Sequence, residues 1–294
     1  MVGVFELFHL SLLEKGQIGL FEVNPRQSRE QWLRTAFSER FSFPHRTVEC
    51  HWVPAETDHG FIAGNVVRSH PRRHHTPPEE GALEVVSEEW QGAMVVIDPA
   101  HHDDGQKLSF ERDATLGKPR SVLQSMLAYV NAIPDAPYVI EPKPIFNEDQ
   151  FWDWAAAHEY RLHRIAFEFI APNMFGSKNS FDEDMRELGG AGVSKVKMVM
   201  DEGQRDEGID AKNEQIKNGV DYAAQGGGSI TATAKNGDKF TSTNNTKTAT
   251  LPATPVERSG GIRGLTKWFP RLLGRESNDS LDSPDRDDDG PSGR

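Results

Sequence analysis

Histidine and acidic side chains, the usual protein ligands of zinc and other divalent ions, are concentrated in two segments of the chain. The segments RSHPRRHHTPPEEG and VVIDPAHHDDG are both predicted to be loops that follow strands, because prolines interrupt them. The candidate metal ligands are His70, His74, His75, Asp98, His101, His102 and Asp103. Their spacing matches no established metal-site pattern, so the alternative interpretation is a pair of solvated polar loops.

The second segment also offers the residue types of a metal-dependent nuclease. Such enzymes use acidic oxygen ligands and a nearby cation, and Asp98, Lys107 and Glu111 supply both. Lys107 and Glu111 have the same parity, so on a strand their side chains share a face. These three residues are the catalytic candidates of a divalent-metal hydrolase that uses the Asp98–Asp104 loop. The alternative is an exposed strand of alternating charge.

No recognised nucleophile or phosphate-binding motif indicates another enzyme class. Cys50 lies in the alternating run RTVECHWV and is predicted to be a small buried residue, while His51 points to the opposite strand face. The glycines at 226–228 follow a helix instead of opening one, so they lack the helix N-terminus that would hold an anion. The sequence therefore does not decide whether the protein is an enzyme, and it predicts no cofactor beyond the divalent ion of the alternative.

Lysines in the later strands offer contact with phosphates. The candidate nucleic-acid contacts are Lys195, Lys197, Lys235 and Lys239, on a predicted sheet face. The chain carries 33 basic and 45 acidic residues, a formal net charge of −12, so its long-range field repels duplex phosphates. Nucleic acid is therefore a partner that the lysines allow and the net charge disfavours. The alternative is an ordinary solvated strand face.

The segment GGIRGLTKWFPRLLGR, residues 260–275, has the pattern of a short basic amphipathic helix. Basic residues recur every four positions, and apolar residues lie near the opposite face. The candidate contacts with a protein partner or an anionic membrane are Arg263, Lys267, Trp268, Phe269 and Arg271. Docking on a partner and folding back onto the protein's own body are interpretations of equal weight.

The elements that would position these residues alternate between strand and helix patterns. Ser28 and Gln31 form a capping box at a helix start, Pro119 lies in the first turn of a second helix, and Asn236-Gly237 predicts a hairpin turn. This order predicts an α+β fold with mixed or antiparallel sheets and helices packed on one face.

Composition divides the chain into two folded units and a tail. We predict an N-terminal α+β domain at 1–134, a C-terminal α+β domain like a split β-α-β unit at 135–250, and a disordered tail at 251–294 that contains the basic segment. Residues 276–294 carry seven acidic residues against Arg286 and Arg294, with too few apolar side chains to build a core.

Cysteine content and hydropathy predict a cytoplasmic protein. A single cysteine excludes an intramolecular disulfide, as expected in a reducing compartment. No run approaches the roughly 18 apolar residues of a membrane span. The N-terminus lacks a basic region and a small-residue cleavage site.

The order of features over most of residues 3–248 resembles a family of uncharacterised bacterial proteins, the domain of unknown function 4747. The resemblance rests on the N-terminal strand, the helix GKPRSVLQSMLAYVNAI, the strand ending in FEFIAPN, and the succession SKVKMVMDEG and NGVDYAAQGGGSITATAKNGDKFTST. It implies a role in phage defence or in association with a mobile element, and it supplies no catalytic residues.

Three functions remain in competition. The first is a non-enzymatic cytoplasmic binding or accessory protein that contacts a protein partner through 260–275. The second is the divalent-metal hydrolase described above. The third is a protein held at a membrane surface by 260–275.

Overall fold

The structure is a computed structural model that describes residues 3–15, 27–57, 60–102, 105–170, 187–188, 191, 193, 195–203, 207–253 and 261–275. Asp103 and the acidic tail at 276–294 lie outside the described residues. The chain folds as an α+β protein with antiparallel sheets, which confirms the predicted fold class. Among the described helices, none has both the length and the apolar character needed to cross a membrane.

The first sheet has eight antiparallel strands in the order β13-β1-β6-β5-β4-β3-β2, with β7 also paired to β1. The strands are β1 (Gly3–Glu14), β2 (Phe41–His45), β3 (Val48–Ala55), β4 (Ile62–His75), β5 (Glu84–Asp98), β6 (Gln106–Glu111), β7 (Tyr138–Pro144) and β13 (Thr248–Leu251). One edge of β1 is shared by β13, which pairs with its first residues, and β7, which pairs with its second half.

Two helices cover one face of this sheet. The predicted capping box opens α1 (Arg29–Ala36), where the Ser28 hydroxyl accepts from the Gln31 N–H and the Gln31 side chain accepts from the Ser28 N–H. Pro119 begins α2 (Pro119–Asn131), as expected for a residue with no N–H to leave unsatisfied. Their apolar faces pack on the sheet in a core that includes Trp52 at 0% exposure.

The second sheet is also antiparallel, in the order β10-β8-β11-β12 with β9 paired to β8. Its strands are β8 (Arg161–Ile170), β9 (Lys195–Asp201), β10 (Ile209–Asp210), β11 (Gly228–Ala234) and β12 (Lys239–Thr241). The helices α3 (Glu148–Ala157) and α4 (Glu214–Tyr222) contribute to a separate core with this sheet. β9 and β11 therefore run in the same direction, are connected through α4, and lie on either side of β8.

The basic segment lies on the other face of the first sheet. It forms a 3-10 helix at Ile262–Trp268 that continues into the short helix α5 (Phe269–Leu272). Phe269 and Leu272 are fully buried in a third core, together with Phe5 of β1. Of the two interpretations left open by the pattern, folding back onto the protein's own body is the one observed.

Both predicted domain boundaries differ from the observed arrangement. Tyr138–Pro144 was assigned to the second unit, but it pairs with β1 of the first sheet. Thr248–Leu251 pairs with the beginning of β1, so the predicted start of the tail falls inside a strand. The cause is the unpaired edge of β1, which accepts both segments although they are far away in the chain. The first unit is therefore built from both ends of the sequence.

A histidine on β1 lies between the two units. His9 is 5% exposed, and the backbone of Gly226, in the π-helical turn Ala223–Gly227 after α4, packs against its side chain. Gly105, just before β6, approaches the same ring from the first unit. Both glycines have positive φ, +91° and +75°. A side chain at either position would overlap His9, so these glycines permit the close contact.

Candidate functional site

Asp98, the centre of the predicted metal and catalytic sites, is held in a buried ion pair. Its Oδ2 atom accepts from Arg275 Nε at 3.1 Å and lies 2.9 Å from His102 Nε2. Its Oδ1 atom accepts from the Ala100 N–H, while the Arg275 guanidinium also donates to the Gly105 carbonyl. The carboxylate thus joins the end of β5, the following loop and the C-terminal segment. A metal ion at Asp98 would have to displace the guanidinium.

The other predicted metal ligands do not gather around Asp98. His70, His74 and His75 are exposed residues of β4 and not of a loop, which corrects the loop prediction. Their prolines are compatible with a strand because the strand is a sheet edge there. Within the described ranges, no group of three or more His, Cys, Asp or Glu residues is placed to hold a metal ion.

The two remaining catalytic candidates have separate surroundings. Lys107 is the register partner of Asp98 on β6, so both side chains are on the same sheet face. Glu111 lies further along β6, where its Oε2 atom accepts from the Met94 N–H at 3.1 Å. Cys50 is fully buried, and burial raises the pKa of its thiol, which is the opposite of what a nucleophile requires.

The four lysines that were predicted to contact phosphates lie in different surroundings. Lys197 and Lys239 line one groove with Arg164 on the face of the second sheet opposite α3 and α4. Lys195 instead forms an ion pair with Glu141 at 3.7 Å, and Lys235 one with Glu202 at 3.8 Å. The structure therefore brings two of the four predicted lysines together.

Some residues of the basic segment that were predicted to contact a partner are buried, and others are exposed. Phe269 is fully buried and Trp268 half-buried against the sheet, so the apolar face is occupied by the protein's own core. Arg263 and Lys267 remain exposed, with Arg263 paired to Glu56 and Lys267 above the Trp268 ring at 5.2 Å. Arg271 is half-buried.

An open cleft of about 500 Å³ lies where the two units meet. Lys107 and Lys247 line it together with Glu148 and Asp221. Glu148 is exposed at the cleft, but partial burial of its carboxyl, followed by the nearby charge of Asp221, raises its pKa. The cleft was not predicted, because its residues come from distant parts of the chain and none belongs to a local motif.

A second feature absent from the sequence-based prediction is a two-stranded projection, here called the β-arm and defined as residues 68–91. It consists of the ends of β4 and β5, which remain paired from Arg68↔Gln91 to His75↔Glu84. The neighbouring strands stop short of it: β3 pairs with β4 only as far as Val67, and β6 pairs with β5 only from Val95. Among the described residues, the β-arm therefore extends beyond the neighbouring strands and has two edges that pair with no strand.

The β-arm carries most of the exposed large apolar side chains of the described chain. Leu83, Val85, Val86 and Trp90 are 63%, 38%, 60% and 58% exposed, and they are four of the six such residues. The Trp90 ring lies 5.4 Å from that of His51. Ion pairs of Arg72 with Glu89 and of Arg73 with Glu84 connect the two strands. The clustered valines and tryptophan of EVVSEEW are the sequence signal that could have indicated this surface.

A scan against protein-family models and a search of curated proteins found no match to this chain. The resemblance to the domain of unknown function 4747 thus remains a prediction that rests on the order of sequence features.

Proposed function

We propose that this protein is a non-enzymatic binding or accessory protein, and that its contact surface is the outer edge of β5 in the β-arm. The partner contributes an extended segment, which pairs with this edge as an added strand. The observation that carries the proposal is the exposure of Val86 and Trp90 on one face of β5, and of Val85 on the other face, along an edge that no described strand covers. Single exposed apolar residues are common on soluble proteins, but a cluster of them marks an interaction surface.

The hydrogen-bonding groups of the β5 edge support this mode of binding. The Met94 N–H points toward the β6 side, where it donates to Glu111. Alternate strand residues direct their N–H and C=O groups to the same side, so Val86, Glu88 and Trp90 also face outward. In the described ranges no strand pairs with this edge before Val95. An unpaired edge of this kind is a template for strand addition.

The opposite edge of the β-arm is protected. On β4 the outward-facing residues are the odd-numbered ones, because they pair with the outward-facing residues of β5. Pro71 is among them and has no N–H to offer an added strand. The two edges therefore differ, and β5 is the one able to accept a partner.

Charge defines the chemistry of the partner segment. Glu84 and Glu89 of β5 pair with Arg73 and Arg72 of β4, so the carboxylates that pair with no described cation are Glu88 on β5 and Glu79 and Glu80 at the tip. A basic segment that alternates with apolar residues would match both these carboxylates and the apolar side chains. The chain carries a net charge of −12, which disfavours the approach of a second copy, so we take the partner to be a different, basic protein.

The proposed cellular location and biological role are those that the sequence predicts. We place the protein in the bacterial cytoplasm, in phage defence or in association with a mobile element, on the basis of its single cysteine and of the resemblance to the domain of unknown function 4747. The engagement of Asp98 by Arg275 favours the binding function over the metal-dependent hydrolase. The burial of Phe269 likewise disfavours membrane attachment through 260–275.

The test measures binding of the full chain, by fluorescence anisotropy, to a fluorescent peptide in which threonine alternates with a residue that is in turn lysine or valine. Lysine and valine then lie on the same face of the added strand, as Glu88 and Val86 do on β5. Val86→Pro removes an outward N–H from the β5 edge without removing a β4–β5 hydrogen bond. Ser69→Pro, at the register partner of Trp90, does the same on the protected edge without a change of charge and is the matched control. We expect Val86→Pro to weaken binding about tenfold or more, as several backbone hydrogen bonds are lost, and Ser69→Pro to leave it unchanged.

Two results would overturn the proposal. One is equal binding by the two folded proline variants. The other is equal binding of a peptide in which glutamate replaces lysine, since that peptide repeats the charge of the edge. Circular dichroism spectra and melting temperatures establish that both variants are folded.

A further inference from the structure

The cleft between the units is lined by both positive and negative side chains. Lys107 extends from β6 of the first sheet, and Lys247 lies immediately before β13. The carboxylates come from the second unit, where Glu148 begins α3 and Asp221 lies in the last turn of α4. Folding thus brings together four charged groups that are widely separated in the sequence.

The two helix ends at the carboxylates have opposite effects. The N-terminus of α3 carries a partial positive charge, and the C-terminus of α4 carries a partial negative charge. Asp221 lies near the C-terminus of α4, whose partial negative charge disfavours a carboxylate. The raised pKa of the Glu148 carboxyl, to which the charge of Asp221 contributes, fits a pair of carboxylates that favours a cationic group beside it.

We propose that this cleft is a binding site for a small zwitterion, a molecule that carries one ammonium group and one carboxylate or phosphate. The anionic group lies between Lys107 and Lys247. The ammonium group lies on the carboxylates of Glu148 and Asp221. The amide side chains of Asn147 and Gln225 also line the cleft and can bind the remaining polar atoms of the ligand.

Size and charge distinguish this ligand from the alternatives. A volume of about 500 Å³ is within the range of small-molecule sites and far above that needed for one ion. The two lysines oppose a divalent cation, and the carboxylates Glu148, Asp149 and Asp221 oppose a simple anion. A ligand with both charges satisfies both sets of side chains. The site is independent of the β-arm, so either proposal can fail without the other.

The experiment is a calorimetric titration of the full chain with phosphoethanolamine and with the common amino acids. Inorganic phosphate and ethanolamine each supply one of the two charges. Asp221→Asn and Lys247→Met each remove one half of the site. Asp153→Asn, on the exposed side of α3, and Lys217→Met, on α4, are matched controls because neither side chain lines the cleft.

We expect at least one zwitterion to bind more tightly than phosphate or ethanolamine alone. Asp221→Asn and Lys247→Met should each weaken that binding about tenfold or more, as expected for loss of a charged hydrogen bond, and the two controls should leave it unchanged. The proposal is overturned if no zwitterion binds, if phosphate alone binds equally well, or if the variants in the cleft bind like the controls.

Discussion

The contact between the two units makes a quantitative prediction about Gly226. Substitution by alanine would place a methyl group within 3.1 Å of His9 Cγ, and closer still to its Cβ. The side of β1 and the turn after α4 are both held in hydrogen-bonded structure, so neither can move away freely. Gly226→Ala should therefore destabilise the fold by separating the units at His9.

Two effects determine how much Gly226→Ala lowers the free energy of unfolding. Gly226 has φ +91°, where an alanine costs about 1–2 kcal/mol relative to glycine. Overpacking of a closed contact costs a further 1–3 kcal/mol, roughly, because neighbouring side chains must leave their preferred rotamers. The sum predicts a decrease in the free energy of unfolding of about 2–5 kcal/mol.

Gly237 provides the matched control. It lies in the hairpin turn between β11 and β12 with φ +90°, and an added methyl group would meet nothing within 4 Å. The Gly237→Ala variant therefore has the same cost of an alanine at positive φ, but its added methyl group does not overlap a neighbouring residue. Urea denaturation of both variants, followed by circular dichroism, isolates the steric contribution as the difference between them. That difference should be about 1–3 kcal/mol.

The reasoning is refuted if Gly226→Ala is no less stable than Gly237→Ala. Such a result would mean that the turn moves away from His9 without loss, and that the units are not held together at this contact. A change in the urea dependence without a change in midpoint would instead indicate that the units unfold separately, which also contradicts the prediction.

Three further predictions concern other contacts. Phe269→Ala should lower the free energy of unfolding by about 3–5 kcal/mol, while the exposed Lys267→Ala should stay within about 0.5 kcal/mol, as measured in urea. Asp98→Asn should cost about 3 kcal/mol in the same assay by removing the carboxylate that neutralises Arg275; the cost should shrink when Arg275 is also replaced, and a cost that did not would contradict the ion pair. Burial and Asp221 raise the pKa of Glu148 above 4.5, so its stabilising contribution is present below that pH and is lost as the pH rises through the raised pKa. The free energy of unfolding of Glu148→Gln, relative to that of the wild type, should therefore increase between about pH 4 and about pH 8, as measured in urea. A difference that stays constant over this pH range would contradict the raised pKa.

Local signals in the sequence predicted the elements well. The Ser28 capping box, the proline at the start of α2 and the Asn236-Gly237 turn all occur as predicted. Each depends on residues within a few positions of each other, so no knowledge of the fold is needed. The predicted α+β class follows from these elements and is also confirmed.

Pairing between distant segments could not be predicted in the same way. The polar run from Arg68 to His75 has no apolar periodicity, because neither face of the β-arm is buried, and it was predicted to be a loop. It is a strand because β5 supplies a partner for every residue in it. The edge of β1 likewise selects Tyr138–Pro144 and Thr248–Leu251, for which the sequence offers no local signal.

The basic segment shows why an amphipathic pattern does not identify its own target. The same apolar spacing serves a partner groove, a membrane surface or the protein's own sheet, since all three bury the same face. The distinction lies in the sheet: Phe5, Val96 and Leu251 form an apolar surface on the side opposite α1 and α2. Phe269 and Leu272 cover that surface, so it is not left to a partner. No described segment covers Val86 and Trp90 in this way, and this difference between the two surfaces is the physical reason for placing the partner contact on the β-arm.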